Sequence, residues 1–294
     1  MKVAFLGLGV MGFPMAGHLA NNGHDVVIYN RTAKKAEKWC ETYKGNHAPT
    51  PKDAAKGADI VFACVGNDND LEHVTIGKDD KEQGEFGAFY GMNKGALFVD
   101  HTTVSATVTR KLAEIAAGKG LNYIDAPVSG GQAGAEGGIL TVMCGGDENH
   151  FATAKPIIDS YARICNHMGA VGCGQLTKMV NQICIAGLLQ GLSEGVAFGM
   201  NAGLDMDKVL QTIRGGAAQS WQMENRLSTM VGGEFNFGFA VDWMIKDLGI
   251  CLAEARQNGS DLPITALIEQ FYTQVQRRGG ARFDTSSLIT LLNR

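Results

Sequence analysis

Short apolar runs alternate with helical patterns over the first half of the chain. The runs that predict β-strands are Lys2–Leu6, His24–Asn30, Asp59–Val65, Ala96–Asp100 and Asn122–Asp125. Helical periodicity between them predicts helices over Met11–Asn22, Thr32–Tyr43 and Ser105–Gly118. Strands that alternate with helices predict βαβ units and a doubly wound, mostly parallel sheet of the α/β class. The stretch Thr75–Gly95, rich in Gly, Asp and Lys, is predicted to be a surface loop.

The second half of the chain has a helical pattern throughout. A run of helix-forming residues over 175–201 is apolar on nearly every face, which predicts a long helix buried between other elements. Further helices are predicted over Asp207–Arg214, Met223–Met230, Val241–Asn258 and Pro263–Arg278. We therefore expect an α/β domain over residues 1–165 and an all-α domain for substrate binding and dimerisation over residues 166–294, joined by the long helix at about 174–201.

The composition is that of an ordinary soluble globular protein, since the 294 residues are 45% hydrophobic and 19% charged, with a net charge of −4. This charge argues against a nucleic-acid-binding surface, and no uninterrupted apolar run of about 18 residues predicts a membrane span. Gly7, Gly9, Gly12 and Pro14 interrupt the apolar N-terminus, which favours a first strand over a signal peptide. The seven cysteines include no C-x-x-C pair and predict a reduced, cytoplasmic protein with neither a disulfide framework nor a zinc site.

A G-x-G-x-x-G motif follows the first predicted strand and opens the first predicted helix. It consists of Gly7, Leu8, Gly9, Val10, Met11 and Gly12. In this setting the first glycine makes a tight turn, the second lets a pyrophosphate approach the backbone, and the third packs helix on strand. The helix N-terminus attracts the phosphates. The motif predicts a Rossmann-type dinucleotide site, and a glycine-rich turn in an unrelated α/β protein is the alternative.

The end of the second predicted strand indicates which dinucleotide binds. An acid at that position would hold the ribose hydroxyls of NAD, but the chain has Asn30, Arg31 and Thr32. A guanidinium group matches a phosphate in charge and geometry, so these residues predict NADP(H) as the cofactor and disfavour NAD(H). The alternative is that Arg31 is a solvated charge at a helix start, in which case NAD(H) remains possible.

A glycine-rich segment, Asp125–Gly138, follows the fifth predicted strand. Successive small residues at the carboxyl end of a strand can present backbone N–H groups to an anion, and ligands of open α/β sheets bind at this edge. Considered alone, the segment is as compatible with a plain strand-to-helix turn as with a ligand site.

Four motifs, in this order, resemble the β-hydroxyacid dehydrogenases over essentially the whole chain. They are Gly7–Gly12, D-A-P-V-S-G-G at 125–131, G-Q-L-T-K-M-V-N-Q at 174–182 and K-D-L at 246–248. That family includes 3-hydroxyisobutyrate dehydrogenase, tartronate semialdehyde reductase and the glyoxylate/succinic semialdehyde reductases. The resemblance implies that Ser129, Gly130 and Gly131 hold the carboxylate of the substrate.

Lys178 is the residue to which the resemblance assigns the acid/base role. It is a lone cation near the start of a mostly apolar helix, where a lysine without function would have to extend to water. As the acid/base it would protonate the substrate carbonyl oxygen as hydride arrives from the nicotinamide, or remove the hydroxyl proton in the reverse direction. A structural lysine whose amino group reaches solvent is the alternative.

The resemblance implies further site residues. Asn181 and Gln182 lie three and four residues after Lys178 on its helix face, and either amide is a candidate substrate ligand. The other substrate candidates are Thr103, Phe239 and Asp247, and the other cofactor candidates are Val65, Gly66, Thr103 and Lys246. The alternatives are that Phe239 is a core residue and that Lys246 and Asp247 form a solvated pair.

The motifs together predict an NADP(H)-dependent oxidoreductase that interconverts a short hydroxy acid and its semialdehyde or keto acid. 6-Phosphogluconate dehydrogenase fits less well, because Asn181 stands where that enzyme has histidine and the chain is shorter. Imine reductases typically lack the lysine, and a catalytically silent NADP-binding module is the non-enzymatic alternative. The resemblance and the apolar long helix also predict a homodimer or homotetramer, with no nucleic-acid or membrane partner.

Overall fold

The computed structural model describes residues 1–77 and 85–292. It divides into two compact units, Met1–Lys178 (unit 1) and Met179–Arg294 (unit 2). This division falls later than the predicted boundary at residue 165. The reason is that the strand Ala162–Gly169 pairs with the strand Leu140–Gly146 and so belongs to the sheet of unit 1.

Unit 1 is built on a single sheet. Its strands are Lys2–Leu6 (β1), Asp25–Tyr29 (β2), Asn46–His47 (β3), Ile60–Ala63 (β4), Leu97–Asp100 (β5), Asn122–Asp125 (β6), Val128–Ser129 (β7), Leu140–Gly146 (β8) and Ala162–Gly169 (β9). The parallel part runs in the order β3-β2-β1-β4-β5-β6, which confirms the predicted doubly wound sheet. β8 pairs antiparallel with β6 and β7 and parallel with β9.

The strands form where the sequence has short, continuous apolar runs, because both faces of the sheet are covered. In β1, Val3 and Phe5 enter one hydrophobic core, and Ala4 and Leu6 enter the core on the opposite face. All four side chains are fully buried. A strand of this kind has no polar face, in agreement with its near-continuous apolar sequence.

Helices connect the strands of unit 1. They are Gly12–Asn21 (α1), Ala33–Thr42 (α2), Pro51–Ala55 (α3), Asp68–Ile76 (α4), Ala106–Gly118 (α5), Gly131–Glu136 (α6) and Glu148–Ile158 (α7). The predicted N-cap of α5 is confirmed, since the Ser105 hydroxyl accepts a hydrogen bond from the Val108 N–H at 3.1 Å.

The predicted surface loop over Thr75–Gly95 is wrong for several of its described residues. Thr75 belongs to the buried side of α4, and Ala88–Tyr90 form a 3₁₀ turn in which Ala88 and Phe89 are buried. Phe89 packs edge-on against the buried Phe98 of β5, with 5.2 Å between ring centroids. Residues 78–84 of this stretch lie outside the described residues.

The helical pattern of the second half is confirmed. The helices are Cys173–Asn201 (α8), Met206–Ile213 (α9), Trp221–Gly232 (α10), Val241–Asn258 (α11) and Pro263–Val275 (α12). The unit boundary falls within α8. α12 ends before the predicted Arg278, because Gln276–Gly280 form a π-type turn in which Gly279 has φ +92°.

The prediction that α8 is buried all round is wrong. Val180 is 61% exposed, Leu188 38% and Phe198 73%, whereas Ala186 and Leu189 on the other side are fully buried. By length and composition alone α8 could also cross a membrane, a property that it shares with core helices of soluble proteins. The apolar pattern therefore reports one buried face and one exposed apolar face.

Candidate active site

The predicted dinucleotide loop lies at the point where the strand order of the sheet reverses. β1 and β4 are neighbours there, and β1 is followed by the Gly7–Gly12 motif. β4 is followed by Cys64, Val65 and Gly66, so two predicted cofactor segments share one edge of the sheet. Ligands of doubly wound sheets bind at this carboxyl edge.

Glycine is needed at the three positions of the motif for different physical reasons. Gly7 has φ +98°, and a Cβ added to it would overlap the carbonyl of Cys64 and press on Val65. A Cβ on Gly12 would overlap the carbonyl oxygen of Gly7. A Cβ on Gly9 would meet no described atom within 4 Å, so the fold does not require glycine there. Close approach of a ligand to the backbone explains Gly9.

The start of α1 has the properties of an anion site. Its N-cap, Met11, makes no side-chain capping bond, and the first turn holds no acidic residue. The backbone N–H groups and the helix dipole therefore face no charge supplied by the helix itself. Within the motif Leu8 is a buried core residue, whereas Val10 is 58% exposed. Leu8 thus presents no side chain to a cofactor.

Asn30 ties the end of β2 to this loop. Its Oδ1 accepts a hydrogen bond from the Leu8 N–H at 2.9 Å, and its Nδ2 donates to the Thr32 carbonyl at 3.1 Å. The amide thus connects two predicted cofactor segments. The structure gives Asn30 the role of shaping the loop.

Arg31 stands at the surface, where its side chain is 79% exposed. Its Nη1 lies 3.1 Å from Oδ1 of Asp70 in the first turn of α4. An ion pair this exposed contributes only about 0–1 kcal/mol. The guanidinium is therefore weakly held and can exchange Asp70 for another anion.

Asp125, the first residue of the D-A-P-V-S-G-G motif, fastens the start of α8. Its Oδ1 accepts from the Gly172 N–H at 2.7 Å and its Oδ2 from the Gln175 N–H at 2.8 Å. A Cβ on either Gly145 or Gly174 would crowd this carboxylate. Burial raises the pKa of Asp125 to about 6, and the backbone donors oppose that rise.

Gln175 connects the same helix start to the predicted Thr103 position. Its Nε2 donates to the Thr102 carbonyl at 2.7 Å, and its Oε1 accepts from the Val104 N–H at 3.2 Å. Lys178 follows Gln175 by one helical turn and is 6% exposed. Asp125 and Gln175 were absent from the predicted site, although both lie inside the quoted motifs. The sequence signals that could have identified them are the position of Asp125 at the end of a predicted strand and the position of Gln175 one helical turn before Lys178.

The segment Ser129–Gly131 leaves the sheet at β7. Ser129 pairs with Thr141 of β8, and Gly130 and Gly131 have φ +130° and +62°. A Cβ on Gly131 would meet no described atom within 4 Å. The positive φ values explain why the fold requires glycine at both positions. The open space at Gly131 is compatible with the predicted contact to the substrate carboxylate.

His101 is a structural residue beneath this segment. Burial lowers its pKa to about 4, so the ring is neutral at physiological pH. Its Nδ1 donates to the Ala126 carbonyl at 2.6 Å, which leaves its Nε2 to accept from the Tyr161 hydroxyl at 2.8 Å. The ring also stacks on Phe62. These contacts anchor the entry to the glycine-rich segment.

Asp100 is a second buried carboxyl group at the ends of the central strands. Its Oδ1 accepts from the Thr102 N–H at 2.9 Å and its Oδ2 from the Tyr123 hydroxyl at 3.2 Å. Full burial raises the pKa of Asp100 from 3.8 to about 7, although the hydrogen bonds from Thr102 oppose the rise. Folding therefore favours the protonated form.

Asp100→Asn is expected to make stability less dependent on pH. Because the pKa of Asp100 is higher in the folded state, its contribution is fully present below pH 3.8 and is lost as the pH rises to about 7. Asparagine mimics the protonated acid and avoids that loss, which is on the order of 4 kcal/mol. Denaturant unfolding of both proteins at pH 5, 6, 7 and 8 measures how the free energy of unfolding of each depends on pH. The difference between wild type and variant should move in favour of the variant as pH rises, and a difference that stays constant would contradict the assignment.

Four candidate residues of unit 2 are linked to one another. The Asn181 and Gln182 side chains are hydrogen-bonded, Gln182 donates to Asp247, and Asp247 pairs with Lys246. Asp247 is 2% exposed, so the predicted alternative of a solvated Lys246–Asp247 pair does not describe the carboxylate.

Phe239 is fixed separately within unit 2. It packs against the core that includes Leu248 and Tyr272. Its N–H donates to Asp284 Oδ2 at 3.1 Å, and its carbonyl accepts from the Thr285 N–H. Phe239 is thus a partly buried residue of this core, as the alternative predicted.

Over residues 1–77 and 85–292, no group of three or more His, Cys, Asp and Glu side chains could hold a metal ion.

Two family models match the chain. One, described as the NAD binding domain of 6-phosphogluconate dehydrogenase, matches residues 2–169. The other, described as "NAD-binding of NADP-dependent 3-hydroxyisobutyrate dehydrogenase", matches residues 172–292. The first describes a domain type that the chain shares with 6-phosphogluconate dehydrogenase, and the second covers the helical part that includes Lys178.

The similarity to individual proteins extends over the full length. An uncharacterized oxidoreductase of Shewanella frigidimarina is 60% identical over 100% of this chain and 98% of its own. The 2-hydroxy-3-oxopropionate reductase of Escherichia coli is 33% identical over 99% of this chain and 97% of its own. The 3-hydroxyisobutyrate dehydrogenase of Mycobacterium tuberculosis, solved with L-serine, has a TM-score of 0.88 at 26% identity and covers 100% of this chain and 99% of its own. With its dinucleotide-binding sheet, its helical second part and these relatives, the chain belongs to the β-hydroxyacid dehydrogenase family of NAD(P)-dependent oxidoreductases.

Proposed function

We propose that this protein is an NADP(H)-dependent dehydrogenase or reductase that interconverts a short hydroxy acid and its semialdehyde or keto acid, with Lys178 as general acid/base. The observation that carries the proposal is that Lys178 is only 6% exposed. It lies one helical turn after Gln175, which fastens the start of α8 to the backbone on both sides of Thr103. Burying an ammonium group is costly, and a catalytic role accounts for keeping it there.

The residues at the carboxyl edge of the sheet fit a dinucleotide. Gly9 leaves room beside the backbone, and the start of α1 offers N–H groups to phosphates. Arg31 would exchange Asp70 for the 2′-phosphate of NADP(H), a better partner for a guanidinium group because it carries more charge. When bound, the nicotinamide would supply or accept the hydride.

The chain's own residues would bind the substrate and move the proton. Ser129 and the backbone N–H groups of Gly130 and Gly131 would hold the carboxylate. The Lys178 ammonium would donate a proton to the carbonyl oxygen in reduction, and the amine would take it back in oxidation. The same positive charge would stabilise the developing oxyanion.

A spectrophotometric panel at 340 nm tests this function. Purified protein would be given NADPH or NADH with glyoxylate, succinic semialdehyde and tartronate semialdehyde, and NADP⁺ or NAD⁺ with 3-hydroxyisobutyrate and serine. We expect NADPH oxidation by at least one semialdehyde or keto acid. Tight NADPH binding with no turnover of any of these compounds would favour a catalytically silent module.

Arg31→Ala is expected to weaken NADPH binding about 10-fold and to change NADH binding less than twofold, because only NADPH offers a phosphate to the guanidinium group. Fluorescence titration of each reduced cofactor measures both dissociation constants. Lys38→Ala on the exposed side of α2 is the matched control, since it removes one cation from the same helix region. Equal losses for NADPH and NADH would exclude Arg31 as the selectivity residue.

We also propose a cytoplasmic homodimer or homotetramer that has no nucleic-acid or membrane partner. The exposed apolar residues Val180, Leu188 and Phe198 of α8 support self-association, because a second copy would remove them from water. The net charge of −4 supports the absence of a nucleic-acid partner. Light scattering after gel filtration would report the mass, and a monomer at micromolar concentration would contradict this proposal.

A further inference from the structure

Asp125 binds the start of α8 from a distant part of the chain. Its Oδ1 accepts from the Gly172 N–H at 2.7 Å, and its Oδ2 accepts from the Gln175 N–H at 2.8 Å. Both donors lie at the start of α8, which begins at Cys173 and has no acidic residue in its first turn. The positive end of the helix dipole therefore meets a fully buried carboxylate that β6 supplies.

The backbone is packed closely around this carboxylate. A Cβ on Gly145 of β8 would lie 2.6 Å from Asp125 Oδ1, and a Cβ on Gly174 of α8 would lie 2.7 Å from Oδ2. The Gly174 Cβ would also overlap the carbonyl oxygen of Met143. Glycine at both positions lets strand, carboxylate and helix come this close, so a change at the carboxyl group is transmitted to the helix start.

Asp125 is also tied to the segment that would hold the substrate carboxylate. Asp125 and Ser129 both pair with β8, so that strand fixes the spacing between them. On the helix side, Lys178 follows Gln175 by about 4.5 Å along the axis of α8. One carboxylate thus connects the segment around Ser129 with the helix that carries Lys178.

We infer that Asp125 is a positioning residue for the proposed reaction, because its carboxylate holds the start of α8 where Lys178 reaches a substrate bound at Ser129–Gly131. The inference rests on the proposed function, which supplies the roles of Lys178 and of that segment. A displacement of about 1 Å can cost a reaction about 100-fold in rate. Asp125 is fully buried, so it would act through the helix and not on the substrate.

The test is Asp125→Asn. Asparagine has the same shape but one acceptor oxygen, and its amide nitrogen would face a backbone N–H that now donates to the carboxylate. Asp147→Asn is the matched control, since Asp147 Oδ1 accepts from the Asn149 and His150 N–H groups at the start of α7. A single oxygen makes both bonds there, so asparagine can replace the acid.

We expect Asp125→Asn to lower kcat by about 10- to 100-fold, with KM within threefold and the Kd of NADPH within twofold. Asp147→Asn should leave all three constants within twofold of the wild type. The measurements are initial rates well below the melting temperature, fluorescence titration of NADPH and thermal unfolding. A helix cap with no part in the reaction would lower the melting temperature and leave kcat of the folded protein unchanged.

A double-mutant cycle shows whether Asp125 acts through the lysine. In the Lys178→Ala background, Asp125→Asn should change the residual kcat by less than twofold, because the group that it positions is absent. A loss in this background as large as in the wild type would overturn the inference. A kcat of Asp125→Asn within twofold of the wild type would do the same.

If Asp125→Asn folds poorly, the wild-type protein at low pH supplies the measurement. Burial raises the pKa of Asp125 to about 6, so at pH 5 the carboxyl group is mostly protonated and one of its oxygens carries a proton. We expect kcat for reduction, at saturating NADPH, to fall about 5- to 10-fold between pH 7.5 and pH 5. A kcat that stays constant over this range would contradict the inference.

The other titratable or charged groups on the described elements around Asp125 are Asp100 on β5, Tyr123 on β6, Cys144 on β8, Arg110 on α5 and Lys178 on α8. Burial raises the pKa of Tyr123 well above this range, and the contact with Cys165 together with burial does so for Cys144. Arg110 keeps its charge, and Lys178 acts in its protonated form in reduction. Burial raises the pKa of Asp100 to about 7, so the fall in kcat should persist in Asp100→Asn. Its disappearance there would assign the fall to Asp100 and overturn the inference.

Failure of the inference and failure of the proposed function are distinguishable. Low turnover in Lys178→Ala together with full turnover in Asp125→Asn would overturn the inference alone. Wild-type turnover in Lys178→Ala, or a wild-type protein that turns over no compound of the panel, would overturn the proposed function and the inference with it.

Discussion

Replacing Lys178 with alanine is expected to lower kcat by about 10²- to 10⁴-fold, the usual contribution of a positioned acid/base group. The side chain is 6% exposed, so water has little access to the position from which it would deliver the proton. The start of its helix is held by Asp125 and Gln175. The measurement is steady-state turnover of whichever substrate the panel identifies, with the Kd of NADPH determined in parallel.

Two further substitutions separate the proton from the charge and the volume. Lys178→Arg keeps a positive charge, but a guanidinium group does not give up its proton, so turnover should stay low. Lys178→Met fills a similar volume without charge and should resemble alanine. The Kd of NADPH should remain within twofold in all three. Turnover near the wild-type value in the methionine variant would remove Lys178 from the chemistry.

Gly9→Ala is expected to leave the fold intact and to weaken NADPH binding by about 10- to 100-fold. The added methyl group would meet no described atom within 4 Å, and Gly9 does not have a positive φ. Alanine at this position would instead stand between the backbone and an approaching pyrophosphate, and so would cost charge-assisted hydrogen bonds. Fluorescence titration and thermal unfolding report the two effects.

Gly12→Ala is the matched control for that experiment, because the same methyl group added here would overlap the carbonyl of Gly7. Overpacking of this kind costs about 1–3 kcal/mol or more, so the melting temperature should fall by several degrees. The pair predicts opposite patterns, with affinity lost at Gly9 and stability lost at Gly12. A stability loss at Gly9 as large as that at Gly12 would mean that the fold, and not a ligand, requires Gly9.

The strands and helices with strong local signals were predictable from the sequence. β1, β6 and α11 have the predicted bounds, and α5 begins one residue later than predicted. β8 and β9 were missed, because β8 follows a glycine-rich segment and is defined by its pairing with strands far away in sequence. The burial of Phe89 was missed for a similar reason, since its partner Phe98 belongs to a different element.

The features of the candidate site also fall into two groups, those with a local sequence signal and those that depend on residues far apart in the sequence. Glycine spacing at Gly7–Gly12 and the cation after β2 are local patterns with a known chemistry, so the sequence predicted a dinucleotide site. The acid/base role of Lys178 came from the resemblance to the family. The ion pair between Arg31 and Asp70 was not visible, because 39 positions separate the two residues. The same holds for the anchoring of α8 by Asp125, 47 positions before its partner Gly172.

By itself, the sequence determined the class of fold, the family and the residue types available for chemistry, because hydrophobic period and motif spacing act over a few residues. Only the tertiary structure decided which polar groups are already occupied. Asn30 is used to shape the loop, Gln182 is engaged at both ends of its amide, and α8 has an exposed apolar face where the pattern predicted burial. The physical reason is that a hydrogen bond or a buried face depends on which partner the chain brings from a distance, and no local pattern specifies that partner.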